Sequence, residues 1–346
     1  MRARWLLSTV VMGSLLSLPV SGRAELMLTF GGQASGFTLS TFATDFPEIA
    51  GFGPIGIAFP NSGGILVSDF PGNVRRFPAD ADGQSASNVP VGQFYFQNNA
   101  FGLAQVDGNI YMTQMFVGLG RVIQVNDDGT FNRVVADVPN RATGIVASPA
   151  NGHLFIGPNF GFTTIYDLNP LTGSLGVFVN DNADGLAITS DGSILYAVGR
   201  DGHIRGYDTS TETLVFDSGF IPGFPVGVAV SSGSLQDRLF ANTASGTLVE
   251  VDLHTLAQTV IASGGSRGDF LAVDPYNGTL LVTQSDLIKR LGPAGVFGSV
   301  VPEPSSLVLF GTGILGWLGY GWRRKRAGST EVGAFEGATL SDGGNS

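Results

Sequence analysis

The sequence predicts an all-β fold, a six-bladed β-propeller. Three observations predict it: a repeat every 41 to 46 residues, the same order of strand and turn signals inside each repeat, and a composition poor in helix formers.

The repeat is marked by a short phrase of glycine, an aliphatic residue and usually alanine. It recurs at Gly56-Ile57-Ala58, Gly102-Leu103-Ala104, Gly144-Ile145-Val146, Gly185-Leu186-Ala187 and Gly227-Val228-Ala229, with Phe270-Leu271-Ala272 as the sixth copy. Small residues suit the innermost strand of each blade, where six strands crowd one axis.

A second apolar run follows each anchor: Ile65-Leu66-Val67, Ile110-Tyr111-Met112, Leu154-Phe155-Ile156, Ile194-Leu195-Tyr196, Leu239-Phe240-Ala241 and Leu280-Leu281-Val282. Between the two stand hairpin turns such as Asp107-Gly108, Asn151-Gly152, Asp191-Gly192 and Asn277-Gly278, because Asn, Asp and Gly tolerate positive φ. Third strands are clearest at 164–167, 203–208 and 247–252, and the last two alternate apolar and polar residues. Fourth strands are weaker, as at 131–135, 214–216 and 259–261, which suits outer strands. Four-stranded units of this length bury both faces only by stacking radially. The sixth repeat lacks a good outer strand. Val296 to Val301 is one candidate, but the N-terminal runs Leu26 to Phe30 and Phe37 to Phe42 are better, since a strand from the chain's start closes the ring against its end.

Composition narrows the function. Glycine makes up 51 of 346 residues, while residues 25–301 hold only four Glu and one Lys, so helices with charged faces are unexpected. The same stretch has 24 acids against 11 bases, a net charge of −13. Nucleic acid and anionic membrane surfaces are therefore poor partners, because binding either needs a basic patch. Cysteine is absent, which removes disulfides, thiol nucleophiles and thiolate metal sites.

The two ends carry routing signals. Residues 1–24 read as a signal peptide: Arg2 and Arg4, an apolar stretch from Trp5 to Leu18, and Gly22-Arg23-Ala24, with signal peptidase expected to cut after Ala24. Ala3 splits the two arginines, so the chain is expected to cross the membrane unfolded. At the other end Pro302-Glu303-Pro304 precedes an uncharged stretch, 305–322, which as a helix spans about 27 Å and can cross a bilayer. Arg323, Arg324, Lys325 and Arg326 follow and should remain cytoplasmic, placing everything before Pro302 outside. This order resembles the PEP-CTERM proteins of bacteria. The resemblance covers 302–326 and implies a sorting signal read and cut by exosortase, transient anchoring in the membrane through the helix, and delivery to the cell surface or extracellular matrix. Residues 327–346, with Glu331, Glu336 and Asp342, add a polar tail expected to be disordered, which such signals usually lack.

The domain between them, 25–301, resembles NHL, YncE-like and gluconolactonase-like propellers through Asp184-Gly185-Leu186-Ala187-Ile188-Thr189-Ser190-Asp191-Gly192. The gluconolactonase-like resemblance implies one divalent cation at the mouth of the axial channel, held by Glu, Asn and Asp. The residues before the six anchors are Ile55, Phe101, Thr143, Asp184, Val226 and Asp269, and the glutamate expected early in the chain is replaced by Gly51-Phe52-Gly53-Pro54. Calcium wants six or more oxygens. No cofactor is therefore expected, although Ca²⁺ belongs to the alternative reading, and Asp184 and Asp269 are read as loop-capping carboxylates at the channel mouth.

Other motif matches read as by-products of composition. Gly51-Phe52-Gly53-Pro54-Ile55-Gly56 fits GxGxxG without a helix after it, and Gly264-Gly265-Ser266-Arg267-Gly268 fits GxSxG in a loop between strands. Asn180, Asn182, Asp184, Gly185 and Asp191 mimic a calcium loop but are flanked by strands. His153, His203 and His254 occupy unequal places in their repeats and should not converge. Phe94, Tyr95 and Phe96 beside Gln97-Asn98-Asn99, and Phe160 and Phe162 near Asn159, offer a rim that could stack on sugars. Two functions remain: a non-catalytic exported propeller that binds polysaccharide or an envelope protein, and a divergent metal-dependent lactonase or esterase.

Overall fold

The structure is a computed structural model, which describes residues 25–95, 99–158, 161–231, 235 and 238–294. The signal peptide with Ala24, the Pro302-Glu303-Pro304 motif, the 305–322 span, the cluster Arg323 to Arg326 and the tail lie outside the described residues.

Six sheets follow the six repeats. From the inside outward, blade 1 comprises Pro54–Ala58, Ile65–Asp69, Asn73–Phe77 and Val91–Phe94. Blade 2 comprises Leu103–Val106, Asn109–Phe116, Leu119–Val125 and Phe131–Pro139. Blade 3 comprises Ala142–Ala147, Leu154–Pro158, Ile165–Leu168 and Leu175–Val179. Blade 4 comprises Leu186–Ile188, Ile194–Val198, Ile204–Asp208 and Leu214–Asp217. Blade 5 comprises Pro225–Val230, Arg238–Thr243, Leu248–Asp252 and Gln258–Ser263. Blade 6 supplies only Leu271–Val273, Leu280–Thr283 and Ile288–Pro293 from its own repeat. Neighbouring strands within the blades pair antiparallel, with only the short Gln84–Ser85 adding in parallel at the outer edge of the blade 6 sheet among the described residues, and the inner strands touch in ring order, blade 6 meeting blade 1.

The missing strand comes from the start of the chain. Phe37–Thr44 pairs antiparallel with Ile288–Pro293, with Leu39 opposite Leu291, and so completes blade 6. Met27–Leu28 goes elsewhere, pairing as a fifth strand on the edge of blade 5. The reason is local: Thr29 caps a one-turn helix, Phe30–Ala34, by accepting from the Gly32 N–H at 3.1 Å, which turns the chain from one blade edge to the next. Gly32 is required there, since a Cβ would lie 2.3 Å from the Ile261 carbonyl oxygen.

Apolar residues from facing sheets form the core. Leu66 and Val74 of blade 1 pack with Ile110, Met112 and Ile123 of blade 2, while Phe42 and Ile288 of blade 6 pack with Ile57 and Phe77 of blade 1. Near the axis the repeat phrase acquires its reason. A Cβ on Gly144 would lie 2.1 Å from the Asp184 carbonyl oxygen, and one on Gly227 would lie 2.1 Å from that of Asp269. Each of these glycines faces the residue that precedes the next blade's anchor, so only hydrogen fits. Buried polar side chains on second strands tie the same row of carbonyls. Thr113 Oγ1 donates to the Thr143 carbonyl at 2.6 Å and Asn242 Nδ2 to the Asp269 carbonyl at 3.1 Å.

Two buried cations fasten the closure of the ring. Arg290, 4% exposed, reaches Asp80, Asp82 at 2.8 Å and Asp274 at 3.3 Å, linking blade 6 to the loop after the third strand of blade 1. Lys289 donates to Glu25 Oε1 and Thr41 Oγ1, both at 2.9 Å, tying Glu25, just ahead of Met27–Leu28, to the last blade.

Candidate functional site at the channel mouth

The inner strands enter the axis at one end and leave at the other, which gives the channel two distinct openings. Between them Ile57, Leu103, Ile145, Leu186 and Val228 pinch it to a space of about 30 Å³. The wider opening, about 580 Å³, is lined by alanines of the repeat phrase together with Asn61, Gln105, Asp107 and Tyr276. The narrower mouth, about 260 Å³, is bounded by Phe52, Ile55, Phe70, Phe101, Met115, Thr143, Asp184, Arg267, Asp269 and Phe270.

Chemistry concentrates at the narrower mouth. Asp184 and Asp269 stand one residue before their anchors, on different blades, and both are buried. Thr143 Oγ1 donates to Asp184 Oδ1 at 2.7 Å. Burial pushes the Asp184 carboxyl up to about 7, against the pull of the Thr143 hydrogen bond and with a push from the charge on Asp269. Asp269 is also raised by burial, although Arg267 opposes it with Nη2 at 3.0 Å from Oδ1. Their sequence context suggested loop caps that accept backbone N–H groups; among the described residues their partners are instead a threonine hydroxyl and a guanidinium.

Aromatic rings line the same mouth. Arg267 stacks over Phe52 with its guanidinium carbon 4.2 Å from the ring centroid. Phe52 stacks on Phe70 at 4.7 Å, and Phe70 meets Phe101 edge-on at 6.0 Å. Phe270, which takes the place of the anchor glycine in blade 6, lines the mouth as well.

Two residues of this site stand in glycine-rich stretches whose motif matches looked accidental. Phe52 lies within Gly51 to Gly56, and Arg267 lies within Gly264 to Gly268. The glycines permit close packing: a Cβ on Gly53 would meet the Ser285 carbonyl oxygen at 1.8 Å, and one on Gly265 would meet Gln284 at 2.1 Å. The Ser266 hydroxyl accepts from the Ser285 N–H at 2.9 Å. The positive residue inside the match was the missed signal.

Other candidates separate. His153 Nδ1 pairs with Asp167 at 2.8 Å and His203 Nδ1 with Asp217 at 2.7 Å, each across its own blade, while His254 sits in the turn made by Asp252. The apparent calcium loop is split. Asp184 faces the mouth, whereas Asp191 holds the hairpin beyond the inner strand, its carboxyl lowered to about 2 by hydrogen bonds from Thr189 and Ser193. Of the aromatic rim, Tyr95 is a core residue, buried in the packing of blades 1 and 2 with its hydroxyl donating to the Gly129 carbonyl at 3.1 Å. Phe94 is exposed and Phe162 half-buried, and Phe96, Gln97, Asn98, Asn159 and Phe160 lie outside the described residues.

The mouth residues do not suit the divalent cation that a gluconolactonase-like fold implies. Three of the six positions around the axis are Ile55, Phe101 and Val226, one carboxyl is engaged by Thr143, and the other already faces a guanidinium. Among the described residues no three His, Cys, Asp or Glu side chains are grouped to hold a metal ion. A hard cation seeking six or more oxygens finds too few, beside a fixed positive charge.

Comparison with known proteins agrees with this architecture. The chain resembles a glucose dehydrogenase-type oxidoreductase of Thermus thermophilus, at 18% identity and a TM-score of 0.58 over 74% of this chain and 100% of that one. It resembles a gluconolactonase of Xanthomonas campestris at 15% identity and a TM-score of 0.58, over 78% and 94% of the two chains. A chain of the mitotic checkpoint complex also matches, at 17% identity and a TM-score of 0.51 over 82% of each chain. Similarity at this level shows the fold alone, and the fold hosts unrelated functions. No curated protein sequence matches significantly. The PEP-CTERM protein-sorting motif matches residues 300–326, which implies an exported protein processed by exosortase. The chain is thus a six-bladed β-propeller that carries a C-terminal PEP-CTERM sorting motif.

Proposed function

We propose that this protein is a non-catalytic binding propeller of the cell envelope or biofilm matrix, and that its narrower channel mouth takes a saccharide. In this reading residues 1–24 direct export and are removed after Ala24, residues 305–322 hold the chain in the membrane, and cutting at Pro302-Glu303-Pro304 releases or transfers it. The observation that carries the binding function is that one mouth is lined both by aromatic rings, Phe52, Phe70 and Phe101, and by polar groups, Thr143, Asp184, Asp269 and Arg267. Sugar rings present C–H faces that pack on aromatics and hydroxyls that both donate and accept.

Titration calorimetry of the exported protein with mono- and oligosaccharides tests this. Binding that is lost in Phe70→Ala supports the reading, and no binding by any saccharide sinks it. A second reading, a divergent lactonase or esterase, is favoured by the burial of Asp184 in the mouth lining, which pushes its carboxyl up to about 7, into the range a general acid or base uses. Lactone hydrolysis abolished by Asp184→Asn would establish that reading instead.

A further inference from the structure

The wider opening carries chemistry of its own, independent of the narrower mouth. Its volume of about 580 Å³, equal to roughly nineteen waters, lies in the range of small-ligand pockets. Blades 3, 4 and 5 line it with inner-strand residues alone, whereas the hairpins of blades 6, 1 and 2 add Tyr276, Asn61 and Asp107 as a rim on one side.

Tyr276 is exposed yet fixed. Its hydroxyl donates to the Pro60 carbonyl at 3.2 Å and its N–H to Asp274 at 2.9 Å, and Asp274 is bound in turn by the buried Arg290 at 3.3 Å. A large ring left 61% open to water, and anchored at both its hydroxyl and its backbone, makes a stacking platform. Contacts along the rim run from it toward Asp107. Pro60 is followed by Asn61, whose Oδ1 accepts from Gln105 Nε2 at 2.8 Å across the junction of blades 1 and 2. That pair keeps an amide donor on Asn61 and an amide acceptor on Gln105.

Charge selects among ligands. Among the described residues the lining holds one charged side chain, the exposed carboxylate of Asp107. Behind the rim Asp127 accepts from the Ser62 N–H at 3.3 Å and Asp80 from Asn277 at 2.7 Å, while Arg76 bonds Ser62 and Arg290 is outnumbered by Asp80, Asp82 and Asp274. The opening is therefore electronegative, which repels anionic ligands and favours cationic ones.

We propose that the wider opening is a second binding site, for a short oligosaccharide of amino sugars with free, protonated amines. One ring packs on Tyr276, the Asn61 and Gln105 amides bond hydroxyls, and Asp107 takes an ammonium through a charge-assisted hydrogen bond.

The test is titration calorimetry on the full chain, purified in a detergent without a sugar headgroup, with three β-1,4-linked trimers that differ only at C2: those of glucosamine, N-acetylglucosamine and glucose. The glucosamine trimer is expected to bind at least about tenfold more tightly than the other two, and less so in high salt. Asp107→Asn, which keeps the turn because Asn tolerates the positive φ found there, should bring the three affinities within about twofold of one another. Tyr276→Ala should weaken all three by about fivefold or more. Neither residue lines the narrower mouth, so these losses place the ligand at the wider one. Equal affinity for the three trimers, a preference that survives Asp107→Asn, or no binding of the glucosamine trimer would overturn the proposal.

Discussion

Arg267 lies over Phe52 at 4.2 Å, joining a loop before the last blade to a loop before the first across the closure of the ring. The contact helps hold the mouth together, because Arg267 also neutralises Asp269 while Phe52 extends the aromatic wall through Phe70. Removing both partners should therefore cost less than the sum of the separate losses. A double-mutant cycle with Phe52→Leu and Arg267→Met, read by urea unfolding, should give a coupling of about 0.5–1 kcal/mol. Strict additivity would show that the stack contributes nothing.

Acidity should stabilise the domain through Asp184. Its carboxyl titrates near 7 in the folded chain and near 3.8 when unfolded, so the folded state holds the extra proton between those values. This contribution is complete below pH 3.8, is lost as pH rises toward 7, and is flat above; it amounts to at most about 4 kcal/mol. Other groups titrate too, so the useful quantity is a difference. The urea midpoint of the wild type should fall more steeply between pH 4 and pH 7 than that of Asp184→Asn, and parallel curves would contradict the assignment.

The anchor glycines should tolerate nothing larger. Gly144→Ala and Gly227→Ala place a methyl group 2.1 Å from a backbone carbonyl oxygen of the next blade, which cannot move without displacing the inner strand. Each is expected to destabilise by about 3 kcal/mol or more, or to prevent folding. Gly176→Ala is the control, since its nearest neighbour would stand 4.0 Å away, and it should change stability by less than about 0.5 kcal/mol.

Closure of the ring depends on the start of the chain. Phe42 is fully buried against Phe77, 5.3 Å between centroids, so Phe42→Ala should cost about 3–5 kcal/mol although it lies at the edge of the repeat array. A chain beginning at residue 46 lacks the outer strand of blade 6 and should not give a cooperative thermal transition.

Sorting should depend on the motif at 300–326 and not on the propeller. Replacing Glu303 with Ala is expected to leave the C-terminal segment on the exported protein, visible as a larger intact mass. Unchanged processing in that variant would separate the cut from the motif.

The repeat array was legible because each blade repeats one local code. Gly56, Gly102, Gly144, Gly185 and Gly227 mark inner strands in sequence, and turns such as Asp107-Gly108 mark hairpins. The role of Phe37 to Phe42 as the closing strand was also visible, because a sixth repeat without an outer strand requires one. Met27–Leu28 was harder to place: a two-residue strand carries no period, and its partner is decided by the turn at Thr29. The candidate site was half legible. Asp184 and Asp269 stood out beside their anchors, but Phe52 and Arg267 were hidden in glycine-rich stretches that gave chance motif matches, and Tyr95 looked like rim although it is core.

By itself the sequence determined the period, the blade count, the sorting motif and the acidic, cysteine-free character of the domain, because these reside in neighbouring residues or in sums over them. Tertiary structure alone decided which side chains share the mouth. Thr143, Asp184, Phe52 and the pair Arg267 and Asp269 come from separate repeats, and only closing the ring brings the guanidinium of that pair onto an aromatic face.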